Sequence, residues 1–245
     1  MRENMELLIK KLNKACLIYK KDFLNKDFLV IARKRKNTEI IEINFRKEHF
    51  MHLVGIKGMK ANDFFEKISL NILSVNELNK LKKNPYINQK LNSFPKLRRL
   101  FEEEPYLYNF HPHSTTKVEL DKIIANINRE IKKELIGLKF LKTLSKKSYI
   151  PASIEDRKAS EITAEERKRI ICILEKKSSE KDYSKILFRN LEENLSLYIP
   201  KEVFISIKKE LEKVNYNCLT GEPINIENHS SGENKWIAKK DVEKL

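Results

Sequence analysis

Cysteine, glycine, proline and tryptophan are all scarce in this chain of 245 residues. It contains three cysteines, five glycines, seven prolines and one tryptophan. Cys16, Cys172 and Cys218 are far apart, and none of them belongs to a CxxC pair. Neither a disulfide framework nor a structural zinc site is therefore indicated, and a reducing compartment fits best.

Long apolar runs and familiar catalytic motifs are also missing. No stretch approaches the ~20 consecutive apolar residues that span a bilayer, so we expect a soluble, cytoplasmic protein without membrane contact. There is no Gly-rich phosphate loop, no Gly-x-Ser-x-Gly elbow and no Rossmann fingerprint. There is also no clear helix-turn-helix, finger or basic zipper, which disfavours an ordinary DNA-binding regulator. No compact motif of paired acids is present, which disfavours a two-metal nuclease, although carboxylates far apart in sequence can converge. We expect no metal and no other cofactor.

Acidic residues are outnumbered. Fifty Lys and Arg face 35 Asp and Glu, for a formal net charge of +15. Such a surplus favours a polyanionic partner, with RNA or a ribonucleoprotein first, because many weak phosphate contacts add up. A lysine-rich surface produced by an AT-rich genome would explain the same composition.

Residues 45–60 combine apolar residues with an unusual concentration of groups suited to binding phosphate. The stretch contains two histidines, two of the five glycines and four cations; the histidines are His49 and His52, and the cations are Arg46, Lys47, Lys57 and Lys60. Imidazole can give or take a proton near neutrality, as metal-free phosphodiester chemistry requires. We predict a strand over residues 49–54, in which His49 and His52 point to opposite faces. His52 is then the candidate and His49 the reserve, although a histidine that is hydrogen-bonded beside the core would look the same.

The periodicities before and after this stretch predict an α+β fold, with a small antiparallel sheet packed by helices. We predict a helix over residues 4–25, a hairpin of residues 28–33 and 38–45, and a second hairpin of residues 169–176 and 183–189. A helical stripe follows residue 60, and a capping box at Ser74 and Glu77 opens a short helix. A further helix begins at Ser93 and carries a basic cluster; a solvated helix face would explain this cluster (Lys96, Arg98 and Arg99) as well as nucleic-acid contact does.

Residues 106–116 are predicted to form an irregular loop in which His111 and His113 flank a proline. No Asp, Glu or Cys is near enough in sequence to complete a metal site there. A capping box at Thr116 and Glu119 predicts a helix that ends at Gly137. We therefore predict a helical insert over about residues 75–135 in a domain of residues 1–190, followed by an accessory helical tail over residues 191–245.

The order of these features resembles the phage-associated barnase-EndoU-colicin-RelE-like nuclease domains over about residues 1–190. The resemblance is carried by Phe50-x-His52-Leu53-x-Gly55, by the helix that begins near Ala61, and by Tyr149-x-Pro151-x-Ser153. It implies an antiparallel sheet with packed helices and metal-independent cleavage of RNA by a protein of a phage or mobile element, often acting as a toxin. By the same resemblance, His52 matches the histidine of the pattern, and Tyr149 and Ser153 match its later polar positions.

The chemistry of RNA cleavage fits these residues. It requires a base, an acid and a cation that stabilises the charged transition state. We predict that His52 serves as base or acid, that Lys57 or Lys147 stabilises the phosphate charge, and that Tyr149 or Ser153 orients the phosphate. The rival hypothesis is a non-catalytic basic protein that binds nucleic acid or inhibits a host-defence ribonucleoprotein. The sequence leaves open whether an immunity or host-defence protein is a partner, and also the oligomeric state.

Overall fold

The computed structural model describes residues 2–103, 105–110, 122–127, 135–142, 148–157, 164–190, 215–216 and 223–224. The helices are α1 (Arg2–Asp22), α2 (Lys47–Leu53), α3 (Ala61–Ser69), α4 (Val75–Lys80) and α5 (Ile87–Ser93), followed by 3₁₀ turns at Phe94–Lys96 and Arg98–Phe101. The strands are β1 (Lys26–Lys34), β2 (Asn37–Phe45), β3 (Ile56–Lys57), β4 (Lys82–Lys83), β5 (Tyr106–Phe110), β6 (Lys122–Ile127), β7 (Leu135–Lys142), β8 (Ser148–Arg157), β9 (Ala164–Lys177), β10 (Lys185–Arg189), β11 (Asn215–Tyr216) and β12 (Pro223–Ile224). The predicted α+β class is confirmed. No helix in the described part of the chain combines the length and apolar character needed to cross a bilayer.

The first half of the domain forms as its local patterns predict. The apolar residues of α1 recur at helical spacing, and β1 and β2 pair as an antiparallel hairpin from Lys26 opposite Phe45 to Lys34 opposite Asn37. Arg35 takes a left-handed φ of 55° in the connecting turn. The capping box is also present, since the Ser74 hydroxyl accepts the backbone N–H of Glu77. These elements depend on residues close in sequence, which is why periodicity was sufficient to predict them.

Seven strands pair in a closed circuit. The order is β1-β2-β8-β7-β6-β5-β9, and β9 closes the circuit by pairing with β1. The opposite edge of β9 pairs with β5 over residues 164–169 and with β10 over residues 172–175. The β2–β8 pair is parallel, and the other pairs are antiparallel. The sheet is therefore larger and less uniform than the small antiparallel sheet that the sequence suggested.

The helices cover one face of this sheet and bury an aromatic core. Phe23, just after α1, and Phe101 of the second 3₁₀ turn pack onto Phe28 and Phe45, with the Phe28 and Phe101 ring centroids 4.7 Å apart. Leu107, on the far part of the circuit, belongs to the same fully buried cluster. Burying such rings removes a large apolar area from water and is a main source of stability.

The prediction of a strand over residues 49–54 is wrong. Residues 47–53 form the helix α2, whose first turn is capped when the Arg46 N–H donates to Nδ1 of His49, at 3.1 Å. The helix ends where Gly55 adopts a positive φ of 77°. A short apolar run is compatible with both the helical and the strand period, so only the packing of Phe50 and Leu53 against the core decides between them.

The prediction of a helical insert over residues 75–135 is correct only in its first part. Among the described residues of this range, the last helical segment ends at Phe101, whereas residues 106–110 and 122–127 are strands. Gly137 lies inside β7, opposite Ala125. Residues 123–127 are rich in isoleucine, which suits a strand as well as a helix, and pairing with β5 and β7 decides the outcome.

Smaller differences also appear. Ser93 ends α5, a helix that periodicity missed, and two 3₁₀ turns replace the helix expected after it. His111, His113, Lys147 and most of the predicted helical tail over residues 191–245 lie outside the described residues. The division into a domain and a tail stays a prediction.

Candidate nucleic-acid interface and active site

The two histidines of α2 occupy different environments. His49 is 7% exposed, and burial is the main reason why its pKa falls to about 4. It is therefore neutral at physiological pH, with Nδ1 occupied by the backbone N–H of Arg46. His52 lies three residues further on, in the last turn, and its side chain is exposed. Of the two, His52 can meet a ligand and His49 holds the helix in place.

A cationic loop follows His52 directly. The chain leaves α2 through Gly55, passes along β3 and turns at Gly58, which has a positive φ of 106°. β3 pairs with β4 as a short antiparallel ribbon, with Lys57 opposite Lys82 and Ile56 opposite Lys83. We call this set the lysine ribbon: Lys57, Lys82 and Lys83 on the strands, with Lys60 and Lys80 flanking them.

The charges of the lysine ribbon are not neutralised by the part of the protein that the structure describes. Lys57, Lys60, Lys80 and Lys82 are exposed, and none makes a side-chain ion pair or hydrogen bond with another described residue. Lys83 donates to the backbone carbonyl of Leu81, at 2.9 Å. Like charges directly opposite each other in a strand pair are destabilising, and a bound phosphate would relieve that repulsion.

Tyr149 and Ser153 lie on β8 behind this loop. Tyr149 is 7% exposed and packs within the core, whereas Ser153 accepts a hydrogen bond from the Lys90 ammonium, at 2.7 Å. Lys90 also donates to the Ile154 carbonyl at 2.7 Å. A Cβ atom added to Gly55 would lie 3.2 Å from Cδ of Lys90, so the buried lysine touches the loop that follows His52.

Sequence reasoning missed Lys90. The lysine is 7% exposed, and it lies in the apolar stripe formed by Ile87, Leu91 and Phe94. The sequence did contain a sign of its burial, since a charged residue lies within an otherwise apolar helical stripe. Its hydrogen-bonding partners could not be known, since Ser153 is 63 residues away in the chain.

Most of the cations predicted to bind nucleic acid are paired with carboxylates. Arg46 contacts Asp27 at 2.8 Å, and Lys47 contacts Glu66 at 2.5 Å. Their positive charge is at least partly offset within the protein, which makes them weaker candidates than Lys60.

The basic cluster of residues 96–99 behaves in the same way. Arg98 binds both Glu102 and Glu175, at 2.6 and 2.5 Å, and Arg99 binds Glu103 at 2.7 Å. Arg98 is largely buried and also contacts the backbone carbonyl of Asp22, so it connects the 3₁₀ turn to the end of α1 and to β9. Lys96 is exposed and also interacts within the protein.

Within the described ranges, no three or more His, Cys, Asp or Glu side chains converge as a metal site would require. Cys16 and Cys172 are both buried, and burial raises the pKa of each thiol, to about 11 and about 12. Neither thiol is poised to act as a nucleophile.

A sheet packed by helices, with an exposed histidine that shortly precedes unneutralised lysines in the chain, is an arrangement suited to a nucleic-acid-cleaving protein. Residues 11–192 match the model of the family described as phage-Barnase-EndoU-ColicinE5/D-RelE like nuclease 4. The match covers more than half of the chain, and the chain belongs to this phage-associated nuclease family. No curated protein and no solved structure matches the chain.

Proposed function

We propose that the chain is a metal-independent endoribonuclease in which His52 exchanges a proton and the lysine ribbon holds the phosphate. The observation that carries this proposal is the exposed position of His52 at the end of α2, directly before the loop that presents Lys57 opposite Lys82. A proton-exchanging group and unneutralised cations supply two of the functions that phosphodiester cleavage requires, and the second proton transfer can be made with water.

RNA is the preferred substrate because its own 2′-hydroxyl can serve as the nucleophile. As the 2′-oxygen forms a bond to phosphorus, its proton leaves to a base. The bond from phosphorus to the 5′-oxygen breaks, and that oxygen takes up a proton from an acid. The products are a 2′,3′-cyclic phosphate and a 5′-hydroxyl. His52 acts as the base or the acid, and the ammonium groups of Lys57 and Lys82 offset the charge that develops on the phosphate oxygens.

The remaining candidates act from behind the site. Ser153, through its hydrogen bond with Lys90, holds the lysine that touches Gly55, and Tyr149 packs in the core of the same strand. We assign both to positioning the loop rather than to contact with the phosphate. Lys147, the alternative to Lys57, lies outside the described residues.

The test uses end-labelled single-stranded RNA, DNA of the same sequence and total tRNA, each incubated in EDTA with the parent chain or the His52→Ala variant. We expect RNA alone to be cut to 2′,3′-cyclic ends, and the variant to be slower by about a hundredfold or more. Lys181→Ala, which removes one exposed lysine from the turn between β9 and β10, is the control and should cut like the parent.

Two results would contradict the proposal. Cleavage that persists in a folded His52→Ala protein would show that another residue does the chemistry, and cleavage that appears only with added Mg²⁺ would refute metal independence. If neither protein cuts any substrate, the binding protein that inhibits a host-defence ribonucleoprotein becomes the better hypothesis. A pull-down for a host-defence or immunity partner would then follow.

A further inference from the structure

At the turn end of the β1–β2 hairpin, the face of the sheet opposite the helices carries arginines and tyrosines from neighbouring strands. β9 pairs with β1 along one edge and with β5 along the other, which places Arg169 opposite both Arg33 and Tyr106. Two residues earlier on β9, Arg167 lies opposite Tyr108. We call this set the arginine–tyrosine platform: Arg33, Tyr106, Tyr108, Arg167 and Arg169.

Strand alternation places these side chains on one face. Their immediate neighbours Ala32, Leu107 and Ile170 are fully buried in the core that the helices cover. Side chains alternate between the two faces of a strand, so the platform residues point the other way. Arg167 is exposed, and the other four residues are half-buried.

Arg167 and Tyr106 already form a stacked pair. The Arg167 guanidinium carbon lies 3.6 Å from the centroid of the Tyr106 ring. Arg167 makes no ion pair with another described residue, so in this part of the chain its guanidinium contacts an aromatic face and its positive charge is not neutralised by a carboxylate. Guanidinium groups bind phosphate in a bidentate manner, and both they and tyrosine rings stack on nucleobases.

Tyr108 contributes a hydroxyl group beside this pair. Its oxygen is buried and has no hydrogen-bond partner among the described residues. Burial raises the pKa of Tyr108, so the hydroxyl keeps its proton and can both donate and accept.

We infer that the arginine–tyrosine platform binds single-stranded nucleic acid, with a base stacked against the Tyr106–Arg167 pair and a phosphate held by the Arg167 guanidinium. Single strands are specified because stacking on a protein ring requires an unpaired base. The platform lies at the turn end of the β1–β2 hairpin, where Arg33 is roughly 20 Å along β1 from Lys26 at the opposite end. The chain leaves the hairpin at that opposite end and continues into α2 and then the lysine ribbon. The inference concerns a binding surface separate from His52 and does not depend on cleavage there.

The test measures binding in a His52→Ala background, so that turnover cannot interfere. A fluorescein-labelled oligouridine of about twelve nucleotides is titrated with the full chain and followed by anisotropy. We expect Arg167→Ala and Tyr106→Ala to weaken binding by about fivefold or more each, whereas Tyr106→Phe keeps the ring and stays within about twofold of the background. Lys181→Ala removes one positive charge elsewhere and should have the smaller effect.

Several outcomes would overturn the inference. These are failure of the background protein to bind oligouridine, unchanged affinity in a folded Arg167→Ala variant, or an equal loss of affinity with Tyr106→Phe and Tyr106→Ala. Arg167 is exposed, so its variant remains informative even if Tyr106→Ala unfolds. Cleavage of a uridine dinucleotide by the parent and by Arg167→Ala tests the active site separately. If the dinucleotide is cut but Arg167→Ala binds oligouridine normally, only the platform is refuted. If the dinucleotide is not cut but Arg167→Ala weakens binding, only the proposed cleavage is refuted.

Discussion

At the scale of single residues, burial separates two histidines that the sequence presents as near equivalents. His49 and His52 are three residues apart on α2, but His49 is enclosed and accepts a backbone hydrogen bond while His52 faces solvent. The burial that keeps His49 away from ligands also makes the stability of the fold sensitive to acid, because protonating a buried imidazole is unfavourable.

Acidification is therefore expected to destabilise the protein through His49. The pKa of His49 is about 4 in the folded chain and 6.5 ordinarily. Between these values the unfolded chain binds more protons, so the stabilisation is fully present above about pH 6.5 and is lost as the pH falls towards 4. The loss is at most about 3 kcal/mol.

Urea unfolding of the parent, His49→Gln and His52→Gln over this pH range measures the effect. The His49→Gln variant should lose much of the acid dependence, and the His52→Gln variant should retain it. An unchanged pH profile in a folded His49→Gln protein would assign the acid sensitivity to other groups.

At the scale of elements, two glycines with different surroundings set the path of the chain on either side of β3. Both Gly55 and Gly58 have positive φ, which strains any other residue. A Cβ atom on Gly55 would lie 2.8 Å from the Cβ of Asn84, whereas one on Gly58 would meet nothing closer than 3.7 Å. Lack of space for a side chain therefore adds to the need for glycine at position 55 but not at position 58.

We expect Gly55→Ala to lower the melting temperature more than Gly58→Ala. Both substitutions incur the strain of a positive φ, of order 1–2 kcal/mol, and Gly55→Ala adds a contact that Asn84 cannot relieve without moving. Thermal unfolding of the two variants, each the other's control, provides the comparison. Equal melting temperatures would show that the loop adjusts around Asn84 at no cost.

Glu39 connects strands that are not neighbours in the sheet. Its carboxylate contacts Lys122 of β6 at 2.6 Å and Lys168 of β9 at 2.5 Å. Burial alone would raise the pKa of Glu39, but the hydrogen bonds from these two lysines hold it below the ordinary value of 4.5. Its stabilisation is accordingly present above about pH 4.5 and is lost as the pH falls through the lowered pKa.

Glu39→Gln is expected to lower the free energy of unfolding by about 2 kcal/mol at neutral pH. The reason is that the largely buried ammonium groups of Lys122 and Lys168 lose the one carboxylate that neutralises them both. Chemical denaturation should show a much smaller effect, of about 0–1 kcal/mol, for Glu103→Gln, whose ion pair with Arg99 is exposed. Equal effects would mean that Glu39 is no more than a surface charge.

At the scale of the whole molecule, the net charge of +15 is distributed unevenly. Many cations are paired with carboxylates, whereas no lysine of the lysine ribbon forms an ion pair with a described residue. The total charge determines how strongly nucleic acid is attracted from a distance. The salt dependence of the binding constant instead depends on how many lysines and arginines contact phosphates in the complex.

Each lysine that contacts a phosphate should therefore appear in the salt dependence of RNA binding. In the His52→Ala background, Lys57→Ala and Lys82→Ala are each expected to reduce the slope of log K against log salt by about 0.7. Anisotropy titrations at several salt concentrations measure the slope, with Lys181→Ala as the variant that should leave it nearly unchanged. A similar decrease for all three would attribute binding to net charge instead of to the lysine ribbon.

The local elements and the class of protein could be predicted from the sequence. The helix α1, both hairpins and the capping box at Ser74 depend on residues a few positions apart, so periodicity and cap chemistry determine them. The short pattern around His52 and Gly55 similarly indicates a phage-associated nuclease, and the family match confirms that resemblance.

The tertiary structure alone decided matters that depend on distant partners. Residues 49–53 became a helix and residues 122–127 a strand because of what packs or pairs with them. Pairing of Arg46 and Arg98 with acids left the lysine ribbon as the better candidate, and burial of Lys90 connected Ser153 to the loop after His52. The physical reason is the same in each case: a single sequence records which groups are present, but burial and charge compensation depend on contacts between residues far apart in the chain.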